Sequence, residues 1–315
     1  MSRVVCLGSV LQDIYMIDHN DLGEIKTGEK LTIDKNSFEV GGGAVNAATN
    51  FARHGHETIV ISNFGRDSAA NAILNFLQNE NVDTSYLNFT RKKTGISVIL
   101  LDSETGKRTI LTCRGASESF TKLEASDLDL SNPDWLYVTS LNGDMNTALK
   151  FFEKAKEKGI KIMWNPGMEE IAEKKKLLGL LQDVDVLILN EKEAKTLIGG
   201  EILEELLVKL ARYVKTVIIT AGARGSIATN GKETYRLAEY EMKTPKDTTG
   251  AGDAFGAGFL SATLDGKKFK DGDFNFYRGV TEIPGAENQP SKDNDVHIIV
   301  GINLSEKQQA KTTAH

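Results

Sequence analysis

The chain of 315 residues lacks several features that mark particular protein classes. It has two cysteines, Cys6 and Cys113, each in an apolar stretch, so we expect two buried thiols, a reducing compartment and no disulfide framework. No run approaches the roughly 18 apolar residues of a membrane span, and the N-terminal apolar run meets Asp13 too soon for a signal peptide, which makes the cytoplasm the expected location. Lys and Arg number 38 against 44 Asp and Glu, and the resulting net charge of −6 lacks the basic excess of a nucleic-acid binder.

Two common nucleotide-binding motifs are absent as well. There is no Gly-x-x-x-x-Gly-Lys-Ser/Thr, which excludes a P-loop. The first apolar run leads into Gly8-Ser9-Val10-Leu11-Gln12-Asp13 instead of Gly-x-Gly-x-x-Gly, which disfavours a nicotinamide dehydrogenase. The five histidines show no metal-ligand spacing with the cysteines, and we place His54 and His56 at a helix-end turn.

Short apolar runs alternate with amphipathic stretches as far as about residue 265. Nearly all-apolar runs are typical of strands covered on both faces, so this alternation predicts a doubly wound α/β core with a mostly parallel sheet. The predicted strands are Val4–Val10, Thr58–Asn63, Trp135–Ser140, Lys161–Asn165, Asp185–Asn190 and Thr216–Thr220.

Four further segments alternate polar and apolar residues, which is typical of strands with one wet face. They are residues 11–18, 31–40, 95–102 and 107–113. We expect them to form a small separate sheet that lies over the carboxyl edge of the main sheet as a lid. The predicted division is therefore a core of residues 1–10, 41–93 and 114–315, and a lid of residues 11–40 and 94–113.

Several local features can be predicted too. Asp67 is expected to cap a helix over 69–78, and Asn230-Gly231 predicts a hairpin with a type I′ turn. From about residue 265 onward, glycine and proline interrupt any helical pattern, leaving one possible strand at 296–300 and a polar tail. Two apolar helix faces are expected, one of Ile202, Leu203, Leu206, Leu207 and Leu210 and one of Leu149, Phe152, Ala155 and Ile160.

The segment Asp247–Phe259 is the most informative one for chemistry. Gly250, Ala251 and Gly252 let backbone amides point into one place just before an apolar helical run, and such a helix N-terminus suits a phosphate or a developing oxyanion. Asp253 stands in the first helical turn, where a carboxylate can cap the helix or take a proton from a nearby hydroxyl.

A second glycine-rich segment, Gly41–Ala48, precedes another small-residue helix. Its three glycines allow a ligand to approach the main chain closely, and Asn46 offers an amide near the helix start. Taken alone, it is equally typical of a flexible loop.

Together these segments resemble the two signatures of the ribokinase/PfkB carbohydrate-kinase family. Gly41–Ala48 followed by Phe51-Ala52-Arg53-His54-Gly55 resembles the first signature, and Asp247–Phe255 resembles the second. The resemblance extends in element order over about residues 3–264. It implies a ribokinase-like fold, ATP as phosphoryl donor and Mg²⁺ as cofactor.

The resemblance also implies roles for the residues that match the motifs. Asp253 would be the general base, and Gly250, Ala251 and Gly252 the anion hole for the transferred group. Asn190 and Glu193 match an Asn-x-x-Glu motif that lies near the phosphates and organises Mg²⁺, directly or through water. The nucleotide-binding loop would contain Thr220 and Gly222, and a monovalent cation such as K⁺, in members that use one, would be held by Asp247 and Thr249.

The acceptor would be held by Asp13, Gly42, Gly43 and Asn46, a set that suits a polyol. Some sugar kinases carry Lys at the position of Gly43, so the absence of a cation there favours an uncharged acceptor. A small sugar and an adenosine-like nucleoside both remain open, with Tyr15, Met16 and Phe38 as lid residues that either cover a base or form lid core. Arg114 contacts either a ligand or only a surface carboxylate, and it is not assigned to the site.

Residues 265–315 depart from the family pattern. In the family, the corresponding segment continues as helices that help to form the adenine pocket, whereas this segment shows no helical pattern. The alternative to an active kinase is therefore a catalytically impaired, ligand-binding homologue. The lid strands carry unpaired edges, and pairing two lids would cover them, so we expect a homodimer through the lid.

Overall fold

The computed structural model describes residues 2–18, 28, 30–102, 107–237, 250–267, 279–280 and 297–298. Its strands, in chain order, are β1 (Arg3–Leu7), β2 (Leu11–Asp18), β3 (Lys35–Gly41), β4 (Glu57–Phe64), β5 (Val82–Asp83), β6 (Leu87–Phe89), β7 (Gly95–Asp102), β8 (Arg108–Cys113), β9 (Trp135–Val138), β10 (Lys161–Trp164), β11 (Val186–Asn190), β12 (Thr216–Thr220), β13 (Ser226–Thr229), β14 (Thr234–Leu237), β15 (Gly279–Val280) and β16 (His297–Ile298). The helices are α1 (Gly43–Arg53), α2 (Ser68–Asn79), α3 (Asp127–Ser131), α4 (Met145–Lys158), α5 (Met168–Ala172), α6 (Lys174–Leu180), α7 (Glu191–Ile198), α8 (Leu203–Leu210) and α9 (Ala251–Leu264).

The main sheet has ten strands in the order β14-β13-β12-β11-β10-β9-β1-β4-β5, with β6 also paired to β4. All neighbours from β12 across to β5 run parallel, and β13 and β14 extend the sheet as an antiparallel hairpin. The predicted doubly wound, mostly parallel α/β core is therefore confirmed.

Both faces of this sheet are covered, which explains why its parallel strands are mostly apolar. Val5 and Leu7 of β1 point into one core with Phe151 and Phe152 of α4. The alternate residues of β1 point into the other core, which includes Phe51 of α1 and α9 side chains such as Leu260. Alternation along a strand sends successive side chains to opposite faces, so one apolar run serves two helical layers.

A separate four-stranded sheet forms from the segments with alternating polarity, in the order β3-β2-β7-β8. Strands β2 and β7 are parallel, and β3 and β8 pair antiparallel on the outside. This small sheet was predicted, although β3 begins at Lys35 where the alternation suggested residue 31. No helix within the described ranges is long and apolar enough to cross a membrane.

Asp67 caps α2 as predicted, since its carboxylate accepts from the amide of Ala70 at 3.0 Å. The same carboxylate accepts from the amide and the hydroxyl of Thr94, at 2.9 and 2.7 Å, just before β7 begins. It therefore joins the helix of the core to the base of the small sheet. His54 and His56 lie at the end of α1 and in the turn that follows, also as predicted.

Three details differ from the expectations. Cys6 is buried but Cys113, at the end of the outer strand β8, is exposed. Ile202 precedes α8 as its N-cap and is 62% exposed, so it lies out of phase with the buried Leu206, Leu207 and Leu210. Leu149 is also exposed, because the buried face of α4 runs through Met145, Ala148, Phe151, Phe152 and Ala155.

The β13–β14 hairpin is present, but its turn is not type I′. Thr229 pairs with Thr234, so four residues form the loop. Gly231 has a positive φ and Asn230 does not, whereas a type I′ turn requires both. The side chain of Asn230 instead accepts from the amides of Lys232 and Glu233, both at 2.9 Å, and this local bonding selects the longer turn.

Candidate active site

The first part of the candidate site is the glycine loop between β3 and α1, which meets the segment after β1. Gly42 has φ +98°, and a Cβ at this position would overlap the carbonyl of Ser9. The amide of Gly43 donates to the Ser9 hydroxyl at 3.3 Å, and that of Ala44 donates to the Ser9 carbonyl at 3.2 Å. Glycine is therefore needed at 42 to bring the start of α1 against the end of β1.

Asp13 lies on β2 of the small sheet, directly over this loop. A Cβ on Gly41 would lie closer than 3.0 Å to the Asp13 carboxylate, so a side chain at residue 41 would displace that carboxylate from its place against the glycine loop. Asp13 is buried and shares its face of the sheet with Tyr15, while Phe38 points to the opposite face and is 61% exposed. Tyr15, but not Phe38, therefore lies on the face of the small sheet that carries Asp13, the carboxylate predicted to bind the acceptor.

Asn46 and Asp253 are 207 residues apart in sequence and are in direct contact. The side-chain amide of Asn46 donates to a carboxylate oxygen of Asp253 at 3.0 Å. Asn46 is in the first turns of α1 and Asp253 in the first turn of α9, so the N-termini of the two helices meet here. Asn46, which is predicted to bind the acceptor, and Asp253, which is predicted to be the base, are therefore side by side.

Helix α9 begins with its N-terminus open at this site. Gly250 is its N-cap in the left-handed conformation, with φ +75°, and its carbonyl accepts from the amide of Ala254 at 2.9 Å. The amides of the first turn have no intrahelical acceptor by the geometry of an α-helix. Among the described residues, no atom lies within 4 Å of a Cβ built at Gly252, so this part of the chain leaves the space beside the turn open.

Burial raises the pKa of Asp253 to about 6, and the hydrogen bond from Asn46 opposes the rise. The carboxyl is thus mostly deprotonated at neutral pH and has a higher proton affinity than an exposed aspartate. A general base works best when its pKa is close to the working pH, so this shift suits proton transfer.

Asn190 and Glu193 form a reciprocal cap at the junction of β11 and α7. The amide of Asn190 donates to the Glu193 carboxylate at 2.8 Å, and the amide of Glu193 donates to the Asn190 side-chain oxygen at 2.9 Å. Burial raises the pKa of Glu193 to about 6 against these two hydrogen bonds, with added contributions from the charges of Asp253 and Glu170. Glu193 is therefore a half-buried carboxylate in electrostatic reach of Asp253.

Thr220 ends β12, and its backbone is in register with Asn190 of β11. Gly222 follows in a short turn with φ +58°, and no atom of the described part of the chain lies within 4 Å of a Cβ built there. This turn lies at the carboxyl edge of the sheet, next to the Asn190–Glu193 cap. Asp247 and Thr249, which are predicted to bind a monovalent cation, lie outside the described residues.

Two residues at the carboxyl edge were missed in the sequence. Thr139 follows β9 and is buried, with no hydrogen-bond partner for its hydroxyl within the described part of the chain. A Cβ at Gly43 would lie 2.7 Å from that hydroxyl, so no larger side chain fits at 43 beside Thr139. Glu170, in the first turn of α5 after β10, is fully buried. Neither stands in a recognisable motif, and both are assigned to this edge only by the sheet order.

Arg114, which we left outside the site, forms an ion pair with Glu169 at 2.6 Å. Both side chains are partly exposed, so the structure favours the surface-carboxylate interpretation of this arginine. Within the described ranges, no group of three or more His, Cys, Asp or Glu side chains converges as a complete metal site.

The fold and this edge define an α/β protein in which the N-terminus of α9 lies beside the buried Asp253 carboxylate and the glycine loop. Comparison with known proteins identifies the family: residues 1–271 match the pfkB family carbohydrate kinase model. The chain is 31% identical over 271 residues to ribokinase from Staphylococcus aureus, covering 82% of this chain and 86% of that protein.

Two solved structures share the fold. The ribokinase of Arabidopsis thaliana, complexed with ribose and ATP, matches with a TM-score of 0.72 at 24% identity, over 86% of this chain and 88% of that one. The nucleoside kinase of Methanocaldococcus jannaschii matches with a TM-score of 0.73 at 23% identity, over 86% and 87% of the two chains. The chain belongs to the pfkB family of carbohydrate kinases, and the ribokinase-like fold and the kinase class predicted from its motifs are confirmed.

Proposed function

We propose that this protein uses ATP to phosphorylate a hydroxymethyl group of a small, uncharged sugar. The observation that carries the proposal is the contact between Asn46 and Asp253, because it joins the acceptor loop to the base at the open end of α9. The family supplies the broader class, an ATP-dependent kinase of a sugar or nucleoside.

In the proposed reaction, the acceptor oxygen attacks the γ-phosphorus of ATP. Asp253 takes the hydroxyl proton as the new oxygen–phosphorus bond forms, and the bond to the β–γ bridging oxygen breaks to release ADP. The first-turn amides at Ala251 and Gly252 stabilise the charge on the transferred group. Phosphoryl transfer depends mainly on positioning and on such charge stabilisation, which this arrangement supplies without a covalent enzyme intermediate.

The acceptor is proposed to lie between Asp13 and Asn46, over the glycine loop. A carboxylate and an amide accept and donate hydrogen bonds, as neighbouring hydroxyls require. Thr139 occupies the space into which a side chain at Gly43 would extend, so the loop itself offers no cation for an anionic sugar.

Glu193 is the described residue that fits Mg²⁺. This ion is usually held by one or two carboxylates together with substrate phosphates and water, and the half-buried Glu193 is one such carboxylate beside the open turn at Thr220 and Gly222. When bound, Mg²⁺ neutralises phosphate charge. Binding of K⁺ by Asp247 and Thr249 remains a prediction, tested by comparing turnover in potassium and in tetramethylammonium buffers.

The small sheet is proposed to act as a lid and as a dimer interface. Its face opposite Asp13 is apolar: Ile14, Val98, Phe38 and Leu111 are in register there, and the last two are 61% and 56% exposed. Pairing with a second copy would cover this face and the outer strands. We expect a dimer by light scattering, and a monomer for Phe38→Lys.

The experiment that tests the function is an ADP-release assay with ATP, Mg²⁺ and a panel of D-ribose, D-fructose, adenosine and inosine. We expect turnover with a sugar and the highest kcat/KM for a pentose. The best turnover with adenosine would favour the nucleoside alternative. Acceptor binding by calorimetry without any turnover would contradict the proposal and favour the impaired homologue.

A further inference from the structure

Glu170 is a fully buried carboxylate that the proposed reaction does not use. One of its oxygens accepts from the amides of Leu141 and Gly143, at 2.7 and 2.8 Å. The other accepts from the amide of Gly167 at 2.7 Å. The hydroxyl of Ser140 donates to the carboxylate as well, at 2.9 Å to the nearer oxygen. A buried charge is tolerated only when hydrogen bonds replace its lost water, and three backbone amides and a hydroxyl do so here.

These donors come from two different loops. Ser140, Leu141 and Gly143 follow β9, whereas Gly167 follows β10. In the sheet, β9 lies next to β1, and the segment after β1 contacts the glycine loop through Ser9. On the other side, β10 lies next to β11, which ends at Asn190. Glu170 therefore joins the two strand ends that separate the acceptor side of the cleft from the side of Glu193.

The connection continues in both directions. On the acceptor side, Thr139 directly precedes the bonded loop and lies against Gly43. On the other side, the side-chain amide of Asn165 donates to the carbonyl of Ile188 in β11 at 3.0 Å. A shift of the loop after β9 would therefore move Thr139, against which Gly43 packs. The end of β11 would keep its position, because the hydrogen bond from Asn165 to Ile188 does not involve that loop.

We propose that Glu170 is a positioning residue that fixes the acceptor side of the cleft by holding the loop after β9 against the turn after β10. This inference rests on the proposed function, because it assigns the acceptor to the glycine loop. Glu170 touches neither substrate in this account and acts through Ser140, Leu141 and Gly143.

The test is Glu170→Gln with Glu169→Gln as the matched control. Gln is isosteric with Glu, but its NH₂ must face a backbone N–H whichever way the amide turns, since both carboxylate oxygens accept from amides. Glu169 is the adjacent carboxylate, it is partly exposed and it pairs with Arg114. The same change there leaves the buried network intact.

We expect Glu170→Gln to raise the KM for the sugar of the panel with the highest kcat/KM about tenfold, and to leave the KM for ATP within about twofold. Glu169→Gln should change neither. A purely structural role would lower the fraction of active enzyme and leave both KM values unchanged. That result, or an equal rise of both KM values, would overturn the proposal.

Hydrogen–deuterium exchange at the amides of Leu141, Gly143 and Gly167 supplies a readout that needs no acceptor. Exchange at these amides should accelerate in Glu170→Gln and stay unchanged in Glu169→Gln, and unchanged exchange in both variants would overturn the positioning role. If the wild type turns over no acceptor, the proposed function fails, and the exchange result still decides whether Glu170 holds the loops.

Discussion

Two glycines one turn apart in α9 offer a matched pair of alanine substitutions. A Cβ at Gly256 would lie closer than 3.0 Å to the hydroxyl of Tyr137, whereas a Cβ at Gly252 would meet no atom of residues 2–237 or 250–267 that the structure describes within 4 Å. Tyr137 is fully buried and packs edge-on against Phe51 with ring centroids 5.5 Å apart, so it has little room to move. The same substitution therefore tests packing at one site and ligand space at the other.

For Gly256→Ala we expect a loss of stability. Overpacking a core costs about 1–3 kcal/mol, and the better helix propensity of alanine returns up to about 1 kcal/mol. The free energy of unfolding should thus fall by about 1–2 kcal/mol in urea titrations. Adding Tyr137→Phe removes the hydroxyl and should restore part of the loss, because the closest remaining ring atom would be 3.1 Å away.

For Gly252→Ala we expect the opposite pattern. The described residues leave room for the methyl group, so the free energy of unfolding should equal or slightly exceed that of the wild type. The methyl group would occupy the space where the transferred phosphoryl group is proposed to bind, and kcat should fall about 100-fold or more. Wild-type turnover in Gly252→Ala would refute the assignment of this helix N-terminus as the anion hole.

Three further predictions concern titratable groups. Burial raises the pKa values of Asp253 and Glu193 to about 6, so kcat/KM should fall as the pH drops through 6, and an acidic limb near pH 4 would contradict the base assignment. The same shifts mean that the folded state binds more protons than the unfolded state between about pH 4 and 6, so these two groups lower stability as the pH rises through that window. Burial tends to raise the pKa of Asp67, but the hydrogen bonds from Ala70 and Thr94 outweigh it and lower that pKa. Asp67→Ala should therefore lower the free energy of unfolding by about 1–2 kcal/mol at pH 7, measured by urea titration, and by less as the pH falls through the pKa of Asp67 in the folded state. An equal loss at pH 3 would contradict stabilisation by hydrogen bonds to the ionised carboxylate.

The elements that position the site were predictable because their patterns reflect burial. Apolar runs predicted the parallel strands, and alternation predicted the small sheet, since each pattern records how many faces of a strand are covered. The contact of Asn46 with Asp253 and the place of Asp13 beside Gly41 agree with the family motifs and could not be derived from periodicity. The roles carried over with those motifs remain predictions until variants are assayed.

The failures have physical causes as well. Exposure of Cys113 depends on its position on an outer strand of the small sheet, which local composition does not show. The turn at Asn230 follows from its side chain bonding to two amides, which competes with the type I′ geometry. Glu170 was missed because its donors lie up to 30 residues away, and a buried carboxylate in a first helical turn looks in sequence like an ordinary solvated cap.

The most direct test of the central claim is the turnover of Asp253→Asn. Asn keeps the size of the side chain but cannot take the acceptor proton. The matched control is Asp265→Asn at the other end of the same helix. We predict that Asp253→Asn lowers kcat by about 10²–10⁴-fold with the KM for ATP unchanged, while the control retains wild-type turnover. Near-normal turnover of Asp253→Asn would contradict the claim that this carboxylate receives the proton of the acceptor hydroxyl.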